Sequence, residues 1–233
     1  MSRIPVCRAC LALPEPLSAE FFCVSCRTPF HNAFPLDAEG RCAVCRSGLR
    51  GFDAAYSFGA YEGVLRELVH LYKYSRIRTL ARPLSGLLAA ALPPGERFDA
   101  LVPVPLHWRR QWQRGFNQSE LLAREIRRRT GIPMILALKR VRSTPSQASL
   151  ARSSRRGNVA TAFQCRRIVW SLHGKRVLLI DDVMTTGSTA ASCALALKRA
   201  GVARVAILTV ARADRRIDAA HLVADHSMVG GSV

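Results

Sequence analysis

Long hydrophobic runs are missing from this chain of 233 residues, although 49% of its residues are hydrophobic. No stretch reaches the roughly 20 consecutive apolar residues of a membrane helix, which excludes a membrane span. The N-terminal segment also lacks the apolar core of a secretory signal peptide. We therefore expect a cytoplasmic protein, whose eight cysteines are metal ligands or free thiols rather than disulfides.

Lysine and acidic residues are scarce as well. The chain has 35 Lys and Arg residues against 16 Asp and Glu, a net charge of +19, and only four of the basic residues are lysines. Arginine therefore carries most of the charge. Because guanidinium groups bind phosphate oxygens in a bidentate manner, this bias suits a phosphate-rich partner. A high-GC coding preference for arginine is the plainer explanation, and it contributes.

The positive charge is concentrated in the middle of the chain. Residues 1–50 hold six arginines against four acids, whereas residues 105–170 hold fifteen basic residues against two acids. A local excess of this kind is typical of nucleic-acid or polyphosphate binding. A solvated face that keeps the protein in solution explains the same excess, and charge alone does not separate the two.

Three Cys-x-x-Cys pairs occupy the first 45 residues, separated by intervals of twelve and fifteen residues. Two such pairs supply the four thiolates of a structural zinc site, and the metal then stabilises a segment with little core of its own. No thioredoxin-like strand precedes a pair, which disfavours redox chemistry. The first choice of ligands is the more compact set, and the third pair is the alternate. The first choice comprises Cys7, Cys10, Cys23 and Cys26, and the alternates are Cys42 and Cys45.

The segment from Val177 to Thr189 carries the strongest functional pattern in the chain. Its first four residues are continuously apolar, as in a central parallel strand, and Asp181 and Asp182 follow directly. A hydroxyl-rich loop with a single glycine, Gly187, then precedes a predicted helix. Loops at a helix N-terminus offer unpaired N–H groups to a phosphate. The alternative is a strand, a turn and a capped helix, which explains the hydroxyls but not two charges at the end of an apolar strand.

The remaining periodicities predict alternating strands and helices. We expect strands at 52–61, 100–105, 135–141 and 204–210, and helices at 64–74, 79–92 and from Asn117 or Ser119 to residue 129. Consecutive strand–helix units favour a right-handed, doubly wound and mostly parallel α/β sheet.

The acid pair and its loop closely resemble the phosphoribosyl-pyrophosphate signature of type I phosphoribosyltransferases. Together with the cysteine pairs, several further motifs resemble the ComF family over about residues 5–212. These motifs are Lys73-Tyr74, Val102-Pro-Val-Pro105, Arg114-Gly-Phe-Asn-Gln118, Arg140-Val-Arg-Ser-Thr-Pro-Ser-Gln147 and Arg155-Arg-Gly-Asn-Val159. The resemblance divides the chain into a zinc-ribbon module at 1–50, a phosphoribosyltransferase-like domain at 51–212 and a tail at 213–233.

The resemblance also implies a ligand, phosphoribosyl pyrophosphate with Mg²⁺, and a role for each motif. Asp181 and Asp182 would bind the ribose hydroxyls. The residues implied for the 5-phosphate are Thr185, Thr186, Gly187, Ser188 and Thr189, and Val183 and Met184 before them are implied to bind the same ligand. Those implied for the pyrophosphate are Pro105, Lys73, Arg109 and Arg114. The segment 142–156 would close over the site. Relatives of this fold often form dimers, so a homodimer is a further expectation.

A second hypothesis is a non-catalytic protein that keeps this fold, binds single-stranded DNA and assists a DNA-uptake machinery. Aromatic side chains stack on bases while arginines hold the backbone. The candidate residues are Trp108, Arg110, Trp112, Phe116, Arg142, Arg155 and Arg156. The aromatic residues are also four apart, so a buried or dimer-facing helix stripe is the plainer interpretation. The two hypotheses are compatible with each other.

Overall fold

The parallel sheet at the centre of the molecule contains four strands in the part of the chain that the structure describes. That part of the computed structural model comprises residues 5–30, 32–47, 51–106, 112, 114–141 and 162–213. The first two segments contribute α1 (Arg8–Ala12), β1 (Phe21–Phe22), β2 (Pro29–Phe30) and α2 (Ala43–Arg46). The short strands β1 and β2 pair antiparallel.

The sheet and the helices around it follow. The elements are β3 (Ala54–Ala60), α3 (Gly63–Tyr74), a 3₁₀ turn (Arg78–Leu80), α4 (Ala81–Ala90), β4 (Ala100–Pro103), α5 (Gln118–Thr130), β5 (Leu138–Arg140), β6 (Phe163–Cys165), a 3₁₀ helix (Arg167–Leu172), β7 (Arg176–Met184), α6 (Ser188–Arg199) and β8 (Arg204–Arg212). The strand order is β3-β8-β7-β4, and each neighbouring pair is parallel. The predicted doubly wound, mostly parallel fold class is confirmed.

Strand β7 lies between β8 and β4, and its apolar run is buried on both faces of the sheet. Val177 and Leu179 face one hydrophobic layer, and Leu178 and Ile180 face the other. All four side chains are fully buried, as the continuous run predicts for a strand covered on both sides.

Helices α3, α4 and α5 form the layer on one face of the sheet. The apolar face of α3, formed by Leu65, Leu68, Val69 and Tyr72, is buried there. Helix α5 begins after Asn117, whose side-chain oxygen accepts a hydrogen bond from the Ser119 N–H at 3.1 Å, and it ends at Gly131 with φ of 75°. Of the two predicted caps, Asn117 is therefore the one used.

Helix α6, the antiparallel pair β5 and β6, and the cysteine-rich segment form the opposite layer. Because α5 follows β4 on one face and α6 follows β7 on the other, the chain leaves these adjacent strands in opposite directions. A crevice opens at such a switch point, at the carboxyl ends of the two strands, and open α/β sheets bind their ligands there.

The segment predicted as one strand at 135–141 is divided in the structure. Its first part lies along β4, where the Ile135 N–H donates to the Leu101 carbonyl at 2.8 Å. Its last part is β5, which pairs antiparallel with β6 rather than with the main sheet. Strand β6 has no local sequence signal, since its partner β5 lies beyond a long intervening segment. Strand β7 extends four residues past the predicted apolar run, so the acid pair lies within it.

Candidate functional site

The acid pair lies at the carboxyl end of β7, beside the switch point. Asp182 is buried, with 8% of its surface exposed, and Asp181 is half-buried. Asp181 lies opposite Thr209 of β8 in the parallel register. Carboxylates are rarely buried without compensating partners. Two of them side by side at a strand end therefore require nearby donors or cations.

Lys73 supplies the cation from the last turn of α3. Its Nζ lies 2.9 Å from Oδ1 of Asp182, and both side chains are mostly buried. Burial lowers the pKa of Lys73, but the charge of Asp182 and its hydrogen bond outweigh that effect, and the net pKa is raised. Lys73 therefore stays protonated and offsets one of the two negative charges at the strand end.

Helix α5 supplies the donor for the other carboxylate. The Ser119 hydroxyl donates to Oδ1 of Asp181 at 2.8 Å, and the backbone N–H of Asp182 donates to the same oxygen at 2.9 Å. Burial, reinforced by the charge of Asp182, raises the pKa of Asp181 to about 7 despite these bonds. Asp181 can therefore gain or lose a proton near neutral pH, until a cation or a sugar hydroxyl binds it.

The hydroxyl-rich loop follows the acids and leads into α6. Gly187 has φ of 76°, in the left-handed region that other residues reach only with strain, and it occupies the N-cap position of the helix. The Thr186 and Ser188 hydroxyls lie 2.8 Å apart. A small cavity of about 50 Å³ is enclosed here. Its lining comprises Asp181, Val183, Met184, Thr185, Thr186, Gly187, Ser188, Thr189, Ala190 and Thr209. The five residues implied for the 5-phosphate, together with Val183 and Met184, thus line one cavity at a helix N-terminus.

The end of β4 forms the other wall of the crevice. Pro103 lies opposite Ile180 of β7, and the half-buried Pro105 follows two residues later. The Asn117 side-chain amide donates to the Val104 carbonyl at 3.1 Å and fixes the start of α5 against this wall. A larger cavity of about 350 Å³ opens beside it. Its lining includes Pro105, Asn117, Lys139, Arg140 and Arg166.

Of the two arginines predicted to bind the pyrophosphate, the structure describes Arg114. Arg114 donates to Oε1 of Gln118 at 3.3 Å and stacks over the Tyr74 ring at 5.0 Å, which places it beside the residue that follows Lys73. Arg109 lies outside the described residues, as do five of the nucleic-acid candidates. These five are Trp108, Arg110, Arg142, Arg155 and Arg156.

The aromatic residues predicted to stack on bases differ in exposure. Phe116 is buried, packs on Tyr72 at 5.6 Å between ring centroids and lies under the guanidinium of Arg78. It therefore belongs to the core, as the helix-stripe interpretation expects. Trp112 is 85% exposed and remains available to a partner.

The cysteine cluster differs from the first-choice ligand set. The sulfurs of Cys23, Cys26, Cys42 and Cys45 all lie within 4.8 Å of one another. The first choice is therefore corrected: Cys42 and Cys45 complete the cluster, and Cys7 and Cys10 do not belong to it. The physical reason is the packing of the chain, because Cys23, Cys26 and Cys42 lie in the hydrophobic layer. Cys7 is exposed and Cys10 half-buried.

The geometry of this cluster fits a zinc ion. Tetrahedral Zn–S bonds of about 2.3 Å place neighbouring sulfurs about 3.8 Å apart. The Cys26 and Cys42 sulfurs lie 3.7 Å apart. The Cys42 N–H also donates to the Cys23 sulfur at 3.3 Å, a contact that favours a thiolate. Hydrogen bonding to the Cys26 sulfur raises the pKa of Cys42 and that of Cys45. Metal binding requires all four thiols to lose their protons, so the affinity of this cluster for zinc depends on pH.

Several contributing residues were not predicted from the sequence. The sequence pattern indicates Asn117 and Ser119 only as alternative helix caps and Thr209 only as a residue of the strand at 204–210. Thr209 is buried and hydrogen-bonds to Ser57 at 2.7 Å across the sheet. In the sequence these three residues stand out only as polar side chains close to apolar strand or helix positions. That pattern does not indicate which residues they contact.

An acid pair at the end of a central parallel strand, followed by a hydroxyl-rich loop at a helix N-terminus, defines the phosphoribosyltransferase class of α/β fold. In agreement, the family model described as "Phosphoribosyl transferase domain" matches residues 114–229. The match covers the acid pair, the loop and α5.

Among the described residues, no helix combines the length and the apolar character that crossing a bilayer requires.

Curated relatives narrow the class to one family. The chain is 30% identical over 227 residues to "Competence protein F" of Haemophilus influenzae, covering 83% of this chain and 97% of that protein. It is 33% identical over 198 residues to "DNA utilization protein YhgH" of Escherichia coli strain K12, covering 82% and 83%. "Competence protein ComFC" of Bacillus subtilis is 29% identical over 142 residues, covering 58% and 55%. The chain belongs to the ComF family of type I phosphoribosyltransferase-like proteins.

Proposed function

We propose that this protein binds phosphoribosyl pyrophosphate with Mg²⁺ at the crevice between β4 and β7 and transfers the phosphoribosyl group to a nucleobase-like acceptor. The observation that carries the proposal is the small cavity at the N-terminus of α6. It joins Asp181 to the hydroxyls and N–H groups of the loop that follows. A phosphate monoester beside a sugar diol is the ligand that such a combination suits.

The residues of the site would divide the ligand between them. The loop from Thr185 to Thr189 would hold the 5-phosphate, and Asp181 and Asp182 would accept hydrogen bonds from the ribose hydroxyls. The pyrophosphate would extend toward Pro105 at the end of β4, where Arg114 and the cations of the larger cavity lie nearby. Bound Mg²⁺ supplies positive charge to the departing pyrophosphate.

The proposed reaction requires little acid–base catalysis by side chains of the protein. The acceptor forms a bond to C1 of the sugar while the bond from C1 to the pyrophosphate oxygen breaks, and the pyrophosphate leaves with the electron pair. Cations that meet the growing negative charge stabilise this step, and exclusion of water prevents hydrolysis. The basic side chains Lys139, Arg140 and Arg166 beside Pro105 suit the first requirement.

Calorimetric titration of phosphoribosyl pyrophosphate, with and without Mg²⁺, tests the proposal on zinc-loaded protein. We expect saturable, Mg²⁺-dependent binding that the variant Asp181→Asn/Asp182→Asn loses. A matched control, Glu20→Gln/Glu67→Gln, removes the same number of charges from two exposed positions and should bind normally. Absence of binding by the unchanged protein would overturn the proposal. Binding that both double variants retain would place the ligand elsewhere.

A second candidate function is binding of single-stranded DNA, in keeping with the names of the relatives and with a role in DNA uptake or utilisation. The observation in its favour is Trp112, which is 85% exposed within the arginine-rich middle of the chain. Fluorescence anisotropy with labelled oligothymidine at several salt concentrations tests it. A steep salt dependence, together with a several-fold loss in Trp112→Ala, is expected if the strand stacks there. Salt-insensitive or absent binding would contradict it.

The cellular location and the oligomeric state remain predictions. We propose a cytoplasmic location, which is supported by the eight free cysteines, because disulfides form mainly in oxidising compartments. A homodimer is expected from the fold family, and analytical ultracentrifugation of the zinc-loaded protein tests it.

A further inference from the structure

The last residue of β8 connects the sheet to the cysteine cluster. Arg212 is 2% exposed, although arginine is almost never buried without compensation. Its Nη1 donates to the Cys26 carbonyl at 2.6 Å, and its Nη2 donates to the Thr28 hydroxyl. The guanidinium thus lies against the turn that carries two of the four clustered sulfurs.

The Thr28 hydroxyl extends this contact to a sulfur. Its Oγ1 lies 2.8 Å from the Cys26 sulfur and within hydrogen-bonding distance of Arg212. Because a hydroxyl has one proton to donate, it can accept from the guanidinium and donate to a thiolate at the same time. The positive charge of Arg212 is therefore relayed to Cys26 through one buried hydroxyl.

The electrostatics of a metal-loaded cluster call for such a cation. Four thiolates and one Zn²⁺ ion carry two net negative charges, and burial of net charge is costly without a compensating group. A guanidinium remains charged at every physiological pH and is more weakly hydrated than an ammonium, which suits it to a buried position. Residues that contact metal ligands in this way commonly change metal affinity about 10–100-fold when they are replaced.

We propose that Arg212 is the charge partner of the cysteine metal centre and that it holds the Cys23–Cys26 turn in the geometry that zinc requires. It acts through Cys26 and Thr28 and is thus a positioning residue for the metal. The role is distinct from the transferase function proposed above, because it concerns the cysteine cluster, although the backbone of Arg212 lies opposite Met184 of β7 in the sheet.

Three replacements of Arg212 separate charge from packing. Arg212→Lys keeps the charge, Arg212→Gln keeps hydrogen-bond donors without charge, and Arg212→Met keeps only bulk. Zinc affinity is measured on the full chain by competition with a chromogenic chelator. Cobalt substitution gives a second readout, since the absorption of a tetrahedral Co²⁺–thiolate site reports ligand geometry directly. Ser85→Ala, a buried hydroxyl in the opposite layer, is the control for general destabilisation.

We expect zinc affinity to fall about 10–100-fold in Arg212→Met and Arg212→Gln, to recover largely in Arg212→Lys and to stay unchanged in Ser85→Ala. Equal losses in all three Arg212 variants would overturn the role of charge, and unchanged affinity would overturn the proposal as a whole. If the Arg212 variants fail to fold, Thr28→Val decides: it removes the relaying hydroxyl but keeps the shape. Weaker zinc binding in Thr28→Val supports the relay, and wild-type affinity contradicts it.

Discussion

The Nζ of Lys73 lies 2.9 Å from Oδ1 of Asp182, although the two residues are 109 positions apart in the chain. Helix α3 ends at this point and delivers an ammonium group to the end of the central strand. The sequence motif assigned Lys73 to the pyrophosphate, whereas in the structure it neutralises one member of the acid pair. Ligand binding would thus have to share or displace an existing ion pair.

Removal of this cation should destabilise the protein. In Lys73→Met the carboxylate of Asp182 loses its partner while it stays buried, a change that costs about 3–5 kcal/mol for buried ion pairs. Thermal unfolding measures the loss, and Lys73→Met/Asp182→Asn should recover a large part of it. Arg128→Met, which breaks an exposed pair with Glu125, should cost less than about 1 kcal/mol. Equal effects of the two single changes would contradict a buried ion pair at the site.

The raised pKa of Asp181 predicts a pH-dependent gain in stability for Asp181→Asn. An aspartate titrates near pH ~4 in the unfolded chain, but burial raises the pKa of Asp181 to about 7 in the folded protein. The folded state then binds more protons between these values, so wild-type stability falls as pH rises through that window. Asparagine does not titrate but still accepts the Ser119 hydrogen bond.

Melting temperatures of wild type and Asp181→Asn at pH 5 and pH 8, without ligand, measure this effect. The two proteins should melt at similar temperatures at pH 5. At pH 8 the variant should be more stable by on the order of 1–2 kcal/mol, or about 2–8 °C for a chain of this size. A difference that is constant across the pH range would show that Asp181 is already ionised throughout.

The left-handed backbone of the loop predicts a selective effect of Gly187→Ala. A Cβ at φ of 76° introduces strain of about 1–2 kcal/mol and shifts the N–H groups that face the small cavity. Binding of inorganic phosphate, measured by calorimetry, should weaken about tenfold. Gly174→Ala is the matched control, because Gly174 has φ of 70° and open space where a Cβ would point. It should lose similar stability but bind phosphate normally, and parallel losses in binding would contradict a phosphate cradle.

The corrected ligand set predicts which cysteine pair the protein needs in order to bind zinc. Cys42→Ser/Cys45→Ser should lose the bound metal and melt at a markedly lower temperature, because both sulfurs belong to the four-sulfur cluster. Cys7→Ser/Cys10→Ser should keep one equivalent of zinc. Elemental analysis by mass spectrometry gives the metal content of each protein after identical dialysis. Metal loss from the second variant alone would restore the pair first chosen from the sequence.

Local patterns predicted the elements that carry the site. The apolar run of β7, the buried face of α3 and the cap at Asn117 all depend on side chains a few residues apart, which sequence periodicity records. The acid pair and its loop were found in the same way, because strand, loop and helix N-terminus follow each other directly.

Long-range partners could not be predicted in this way. The intervals between cysteine pairs fit either zinc set, and only the packing of the segment against the sheet selects Cys42 and Cys45. Ser119 and Asp181 are 62 positions apart, and their contact depends on where α5 crosses the sheet. The relay from Arg212 through Thr28 spans nearly the whole chain, and neither residue is unusual in its local sequence.

The cysteine cluster shares its hydrophobic layer with the parallel sheet. Cys23, Cys26 and Cys42 are buried together with Ala55 of β3 and Ile207 of β8. A truncation that starts at residue 51 would therefore expose part of one face of the sheet to water and remove the Cys26 carbonyl and the Thr28 hydroxyl from the Arg212 guanidinium. This shared layer predicts that the residues before and after position 51 unfold as one cooperative unit, so that slow amide exchange in β3 and β8 should disappear together with the metal.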